Sequence, residues 1–163
     1  MILKPSSENG QLDVLLVKRV SSPIDPWSGH MAFPGGRQRG PREGMFETAR
    51  REVLEEVGLD LQKMELLGRL DDVVPGSFLI KVTPFAVVAA EPAEVKINTA
   101  EIDDHVWIPL EFFFDSKNST PYNIARVGEN REVPSFVYNG RHIVWGLTLR
   151  IIQNFGEKIA KSG

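Results

Sequence analysis

Glu52, Glu55 and Glu56 stand within five consecutive positions, in the run Arg51-Glu52-Val53-Leu54-Glu55-Glu56-Val57-Gly58-Leu59. On a helix, side chains three and four apart are neighbours, so these carboxylates repel one another at a cost of roughly a few tenths of a kcal/mol per pair. The last turn of a helix adds to the cost, because its carbonyls carry the negative pole of the macrodipole. A divalent cation relieves both effects, and an all-oxygen donor set suits Mg²⁺, or Mn²⁺ in its place, rather than zinc. Taken alone, such a trio is more often a solvated acidic helix face.

The surrounding residues supply the positioning elements. Phe46, Ala49, Val53 and Val57 recur at spacings of three and four, one face of a helix that begins at Met45, and Gly58 is a natural stop. At about 100° per residue, Glu52 and Glu56 sit about 40° apart along one edge of the apolar face, with Glu55 turned further to solvent and Arg51 on another side. Upstream, Met31-Ala32-Phe33 reads as a strand end. Phe33-Pro34-Gly35-Gly36 reads as a tight turn whose glycines let backbone approach a ligand closely. Arg37 to Gly44, broken by Gly40 and Pro41, is a polar loop.

The run from Arg51 to Leu59 resembles, position for position, the R-E-U-x-E-E-x-G-U core of the Nudix box (U is a bulky aliphatic), and Gly36 is similar to its opening glycine. The box thus spans about residues 36–59. Glu43 follows Gly36 by seven residues where the common box has six, a loop one residue longer. The segment from Asp25 to Arg37 and Trp145-Gly146-Leu147-Thr148 resemble the coenzyme A pyrophosphatase-like branch, though the added arginine of that branch's stricter signature is absent between Pro23 and Trp27. Glu101 to Leu110 resembles the E-x5-W-x-P-L stretch that follows the sheet in many Nudix proteins.

The resemblance implies an α/β fold, an α/β/α sandwich with a mixed β-sheet between helices. It implies Mg²⁺ held by Glu52, Glu56 and the carbonyl of Gly35, with Glu55 assisting, and a water attacking a pyrophosphate phosphorus. Arg51 then orients the glutamates. Glu52, Glu55 or a downstream acid, Glu101 or less favourably Asp104, takes the proton. The implied substrate is a small nucleotide, a nucleoside diphosphate joined to another group. Coenzyme A or a derivative is favoured, with ADP-ribose or a nucleoside triphosphate as alternatives. ADP-ribose enzymes often carry an N-terminal subdomain, and little precedes Leu12 here. The isopentenyl diphosphate isomerase of the same fold uses a cysteine, which this chain lacks. Binding modules that have lost the chemistry usually lose box glutamates, and all are present here. A homodimer is common for the fold.

Composition bounds the rest. At 163 residues the chain is read as one domain, 1–163, and 42% hydrophobic with 25% charged residues is ordinary for a soluble globular protein. The net charge of -3 offers no footprint for nucleic acid, so attraction of an anionic substrate has to be local. Zero cysteines exclude disulfides and thiolate chemistry. No apolar run is long enough to span a membrane. Pro5 to Gln11 is polar where a signal peptide is apolar, so a cytoplasmic protein is expected.

Along the chain, strands are expected at Met1–Lys4, Leu12–Val20, Arg69–Val74 and Leu79–Ala90, the last with a bulge or edge at Pro84. Turns or loops are expected at Ser6–Gly10, Ser21–Gly29, Pro75-Gly76 and Glu91–Thr99, and a helical turn at Leu110–Asp115. Ser116 to Arg131 is polar and reads as a mobile loop. Val133–Tyr138 and Arg141–Val144 form a hairpin about Asn139-Gly140, and Trp145–Ile159 a closing amphipathic helix. Arg19 and Arg37 are candidates for phosphate contact, with Gly36 for close backbone approach. His30, His105 and His142 lack zinc-ligand spacing and read as half-buried packing residues.

Overall fold

The structure is a computed structural model that describes residues 1–6, 10–22, 29–75, 80–90, 93–126 and 129–162. Its elements in chain order are β1 (Ile2–Pro5), β2 (Leu12–Arg19), β3 (Met31–Ala32), α1 (Met45–Val57), β4 (Glu65–Arg69), β5 (Phe85–Val88), β6 (Ile102–Pro109), β7 (Ser119–Arg126), β8 (Glu129–Tyr138), β9 (His142–Trp145) and α2 (Gly146–Ser162).

β2 organises the larger sheet. It pairs antiparallel with β6 along one side and with β1 and then β3 along the other. β1 runs parallel to β5, and β5 antiparallel to β4, so the sheet is mixed. The run Val14-Leu15-Leu16-Val17 is apolar throughout because both faces of β2 are covered. Leu15 and Val17 join Ile2, Val87 and Ile102 in a core closed by Val53 and Val57 of α1. Val14 and Leu16 join Leu3 and Ile108 in a core closed by Leu149, Ile152 and Phe155 of α2. Each such aliphatic side chain, taken out of water, contributes about 1.5–3 kcal/mol. The expected α/β/α sandwich is therefore present, built on the period-two alternation of its strands.

β7, β8 and β9 form a second, antiparallel sheet. Asn139 and Gly140 both have positive φ, 50° and 68°, as the type I′ hairpin turn requires. Phe136 and Val144 anchor this sheet in the α2-side core.

Three expectations are corrected. The polar stretch from Ser116 is a three-residue 3-10 turn followed by β7 and the start of β8, paired from Ser119↔Phe136 to Arg126↔Glu129. The strand expected at Arg69–Val74 ends where it was to begin. β4 is Glu65–Arg69, and Val73 makes only an isolated bridge to Val82. There Asp72 is drawn off by Arg69, Lys81 and Thr83, which hold its carboxyl far below the usual range. The strand through Pro84 is shorter than expected, Phe85–Val88, and the Pro84 carbonyl accepts instead from Leu70 N–H. Residues 7–9, 23–28, 76–79 and 91–92, which carry parts of the expected turns, Leu79 and the segment Asp25–Ser28, lie outside the described residues.

Candidate active site

α1 presents the glutamates, and its ends are satisfied by other parts of the chain. At the C-terminus Gly58 donates to Leu54 O at 3.1 Å in the left-handed conformation. The carbonyls of Glu56 and Val57 accept from Asn98 N–H (2.8 Å) and Lys96 N–H (2.9 Å). These two donors offset the negative helix pole where the acidic residues sit. They also bring in the segment that carries Glu101, which accepts from Asn98 Nδ2 at 3.2 Å and acts electrostatically on Glu56.

Arg51 is the hub of the constellation. Its Nε and Nη2 donate to the two oxygens of Glu43 at 2.7 and 3.2 Å. Nη1 donates to Glu52 Oε1 at 2.6 Å and Glu55 Oε2 at 3.3 Å, and Nη2 also to the Arg37 carbonyl at 3.0 Å. All five guanidinium N–H groups can be matched to these acceptors, a use that lysine could not reproduce. The fork and the Arg39 N–H hold the Glu43 carboxyl down at about 2, and the carboxylates hold the guanidinium above its ordinary value. The loop with its extra residue still delivers Glu43 to Arg51. It also supplies Arg39, whose Nη2 donates to Glu55 Oε1 at 2.7 Å. Glu43 could have been singled out from its eight-residue spacing to Arg51; nothing in the sequence marks Arg39.

The Gly-rich turn meets the helix at two points. Gly35 N–H donates to Glu56 Oε2 at 2.9 Å. A Cβ on Gly36 would overlap the Glu52 carboxylate, so only glycine allows this approach. Glu56 is 3% exposed, and that burial pushes its carboxyl up to about 7. Gly35 N–H and Arg19 oppose the rise, and Glu52 and Glu101 add to it.

As they stand, no three acidic or histidine side chains among the described residues are arranged to hold an ion. The donor chemistry nevertheless fits one. Arg51 takes one oxygen of Glu52 and Gly35 one oxygen of Glu56, leaving Glu52 Oε2 and Glu56 Oε1 without a hydrogen-bond partner among the described residues. Buried Glu56 and half-buried Glu52 repel each other and gain from a hard cation with oxygen ligands. Glu55 differs, since Arg39 and Arg51 engage both its oxygens.

A cleft of about 1340 Å³ adjoins the turn and is lined by Gly35, Gly36 and Val53. Its charged lining consists of Arg19, Arg37, Lys81, Arg131 and Arg150, with no carboxylate among the described residues. A chain of net charge -3 thus keeps a locally cationic cleft. Asp104 is not brought to the box: it accepts from His142 Nε2 (3.0 Å) and forms an ion pair with Arg141 Nη2 (3.2 Å), and both hold its carboxyl low, in a hollow with Lys18. His142 is buried and His105 half-buried, while His30 packs edge-on against Trp145 at 4.9 Å. No helix among the described residues is long and apolar enough to cross a membrane.

Residues 1–126 match the NUDIX domain family. A protein of Photorhabdus laumondii described as the uncharacterized Nudix hydrolase NudL is 30% identical over 89% of this chain and 76% of its own length. The human mitochondrial coenzyme A diphosphatase NUDT8 is 29% identical over 83% of this chain, which spans 57% of that longer protein. The crystal structure of the Nudix hydrolase RenU from M. smegmatis superposes with a TM-score of 0.59 at 20% identity, covering 99% of this chain and 83% of that one, and so supports the fold. With the glutamates, arginine and glycines of the box joined in one network beside the cleft, the chain belongs to the Nudix family of pyrophosphohydrolases.

Proposed function

We infer that the chain, acting as one catalytic unit, hydrolyses the pyrophosphate bond of a nucleoside diphosphate joined to another group, with coenzyme A or a derivative as the favoured substrate. The observation that carries this reading is the junction of the Gly35-Gly36 turn with Glu52 and Glu56 at the edge of a large cleft lined by cations. The human relative's name supports the choice of substrate, as does the resemblance of Trp145-Gly146-Leu147-Thr148 to that branch.

Glu52 and Glu56 would hold Mg²⁺ through their remaining oxygens, with the Gly35 carbonyl, and Glu55 would assist on release from Arg39. Such an ion neutralises phosphate charge and lowers the pKa of a bound water. Arg51 positions Glu52 and Glu55 by charge-assisted hydrogen bonds and has no donor left for substrate. Arg19 and Arg37 bind phosphate oxygens from the cleft wall, and Gly36 admits the substrate closely. Glu101 is the preferred proton acceptor, because it is exposed and its charge reaches Glu56. Glu52 and Glu55 are the other acceptors to be weighed.

The test is product analysis with coenzyme A, ADP-ribose, diadenosine polyphosphates and nucleoside triphosphates, with and without Mg²⁺. Mg²⁺-dependent release of adenosine 3′,5′-bisphosphate from coenzyme A, reduced at least 100-fold in Glu52→Gln (about 3 kcal/mol of barrier), is expected. Turnover of ADP-ribose or triphosphates alone would remove coenzyme A and keep the chemistry. Full activity of Glu52→Gln would remove the residue assignment.

A further inference from the structure

The cleft of about 1340 Å³ exceeds the roughly 300–1,000 Å³ of most ligand pockets. One wall of it belongs to the second sheet, which the box chemistry does not use. In that sheet Ile124 pairs with Arg131, Tyr122 with Val133, and Ser135 with Trp145. Directly opposed residues share a face, as do residues two apart. Ile124, Arg131, Val133 and Trp145 therefore stand on one face, and all four line the cleft.

Trp145 is half-buried and braced, with the His30 ring at 4.9 Å and the Tyr122 ring at 5.8 Å. Beneath it the sheet is fixed by buried Ser135, whose hydroxyl donates to Thr120 O at 2.6 Å. A braced indole offers a planar apolar surface at little entropic cost. Arg131 is exposed on β8, and among the described residues no carboxylate pairs with it. Other cations of the lining are engaged: Lys81 by Asp72, and Arg150 by the Val74 carbonyl. Adjacent Glu132 points to the opposite face by alternation.

We propose that this wall is a second anion subsite: Arg131 binds a phosphomonoester that the substrate carries outside its scissile pyrophosphate, with the base packed on Trp145. A guanidinium matches such a group with two parallel hydrogen bonds. The inference deepens the functional reading and rests on its nucleotide substrate. It makes the second sheet the element that separates substrates with and without the extra phosphate, whereas the box serves both.

The test compares coenzyme A with dephospho-coenzyme A, which differ only in the 3′-phosphate, in the wild type, Arg131→Gln and Arg131→Lys. The wild type is expected to show a KM for coenzyme A roughly 10-fold or more below that for dephospho-coenzyme A, as one charge-assisted contact provides. Arg131→Gln raises the coenzyme A value toward the other, and Arg131→Lys restores part of the difference. Equal KM values in the wild type, or an equal rise for both compounds in Arg131→Gln, would overturn the proposal; the second result would put Arg131 on the pyrophosphate instead. If the wild type hydrolyses neither compound, the substrate reading fails. Calorimetric binding of adenosine 3′,5′-bisphosphate against AMP then decides the subsite. A preference lost in Arg131→Gln sustains it, and equal affinities overturn it.

Discussion

Glu56→Gln tests whether this site carries a buried charge that a cation is meant to relieve. Glu56 is 3% exposed, faces Gly35 N–H on one oxygen, and has Arg19, Glu52 and Glu101 as its charged surroundings. Burial raises its carboxyl from 4.5 to about 7. The folded protein therefore binds more protons than the unfolded chain between those values, and stability falls as pH rises through the window. At about 1.4 kcal/mol per pH unit the loss amounts to about 3 kcal/mol, complete above pH 7. Glutamine has the same shape, keeps an oxygen for Gly35 N–H and carries no charge. Urea titrations in EDTA should find the variant about 3 kcal/mol more stable than the wild type at pH 8, and the advantage should vanish near pH 4. Adding Mg²⁺ at pH 8 should stabilise the wild type according to its concentration relative to Kd, and the variant far less. A variant no more stable than the wild type at pH 8 in EDTA, or equal stabilisation of both by Mg²⁺, would refute the reasoning.

Gly36→Ala places a methyl group in the space of the Glu52 carboxylate; kcat should fall by roughly 100-fold, as a displacement of about 1 Å can cause, with far-ultraviolet circular dichroism unchanged. Glu43→Gln removes a carboxylate held at about 2 by Arg51. Since the folded value is depressed, the wild type's stability advantage should be full above about pH 4.5 and shrink as pH falls toward about 2, as thermal melts across that range would show. Thr148→Val deletes a buried hydroxyl that donates to Met31 O at 2.9 Å, just before the Gly-rich turn. It should cost about 1–3 kcal/mol in urea unfolding, because a buried carbonyl loses its partner.

What could be read from the sequence was what local chemistry dictates. The apolar spacing of α1, the Gly58 stop and the Asn139-Gly140 turn are each set within a few residues, and each forms as expected. β8 from Val133 and β9 are legible as a hairpin, but β7 and the start of β8 are hidden because that stretch is polar and carries Pro121, and sequence rules keep proline off central strands. The structure resolves that conflict. Pro121 and Pro134 oppose each other, and β9 pairs with β8 only from Ser135 to Tyr138. At Pro134, β8 thus has no neighbour on the β9 side, and no ladder bond toward β9 is lost. The site divides in the same way. The box glutamates and Arg51 lie in one short run, whereas Arg39 reaches Glu55, and Arg131 the cleft wall, only through tertiary placement.

The three glutamates that the sequence presents as a set are not equivalent once their partners are counted. Both Glu55 oxygens are taken by arginines, and its carboxylate is exposed. Glu52 and Glu56 each keep an oxygen without a hydrogen-bond partner among the described residues, beside the Gly35-Gly36 turn. Arg51 cannot release Glu55 without also disturbing Glu43 and Glu52, whereas the exposed Arg39 can, since it meets Glu55 through a single nitrogen. Arg39 comes from the loop with the extra residue, so that loop supplies the partner of Glu55 Oε1. Displacing Arg39 would free Glu55 Oε1 alone and leave Oε2 on Arg51. The availability of Glu55 thus turns on Arg39, while Arg51 holds Glu43, Glu52 and the second Glu55 oxygen.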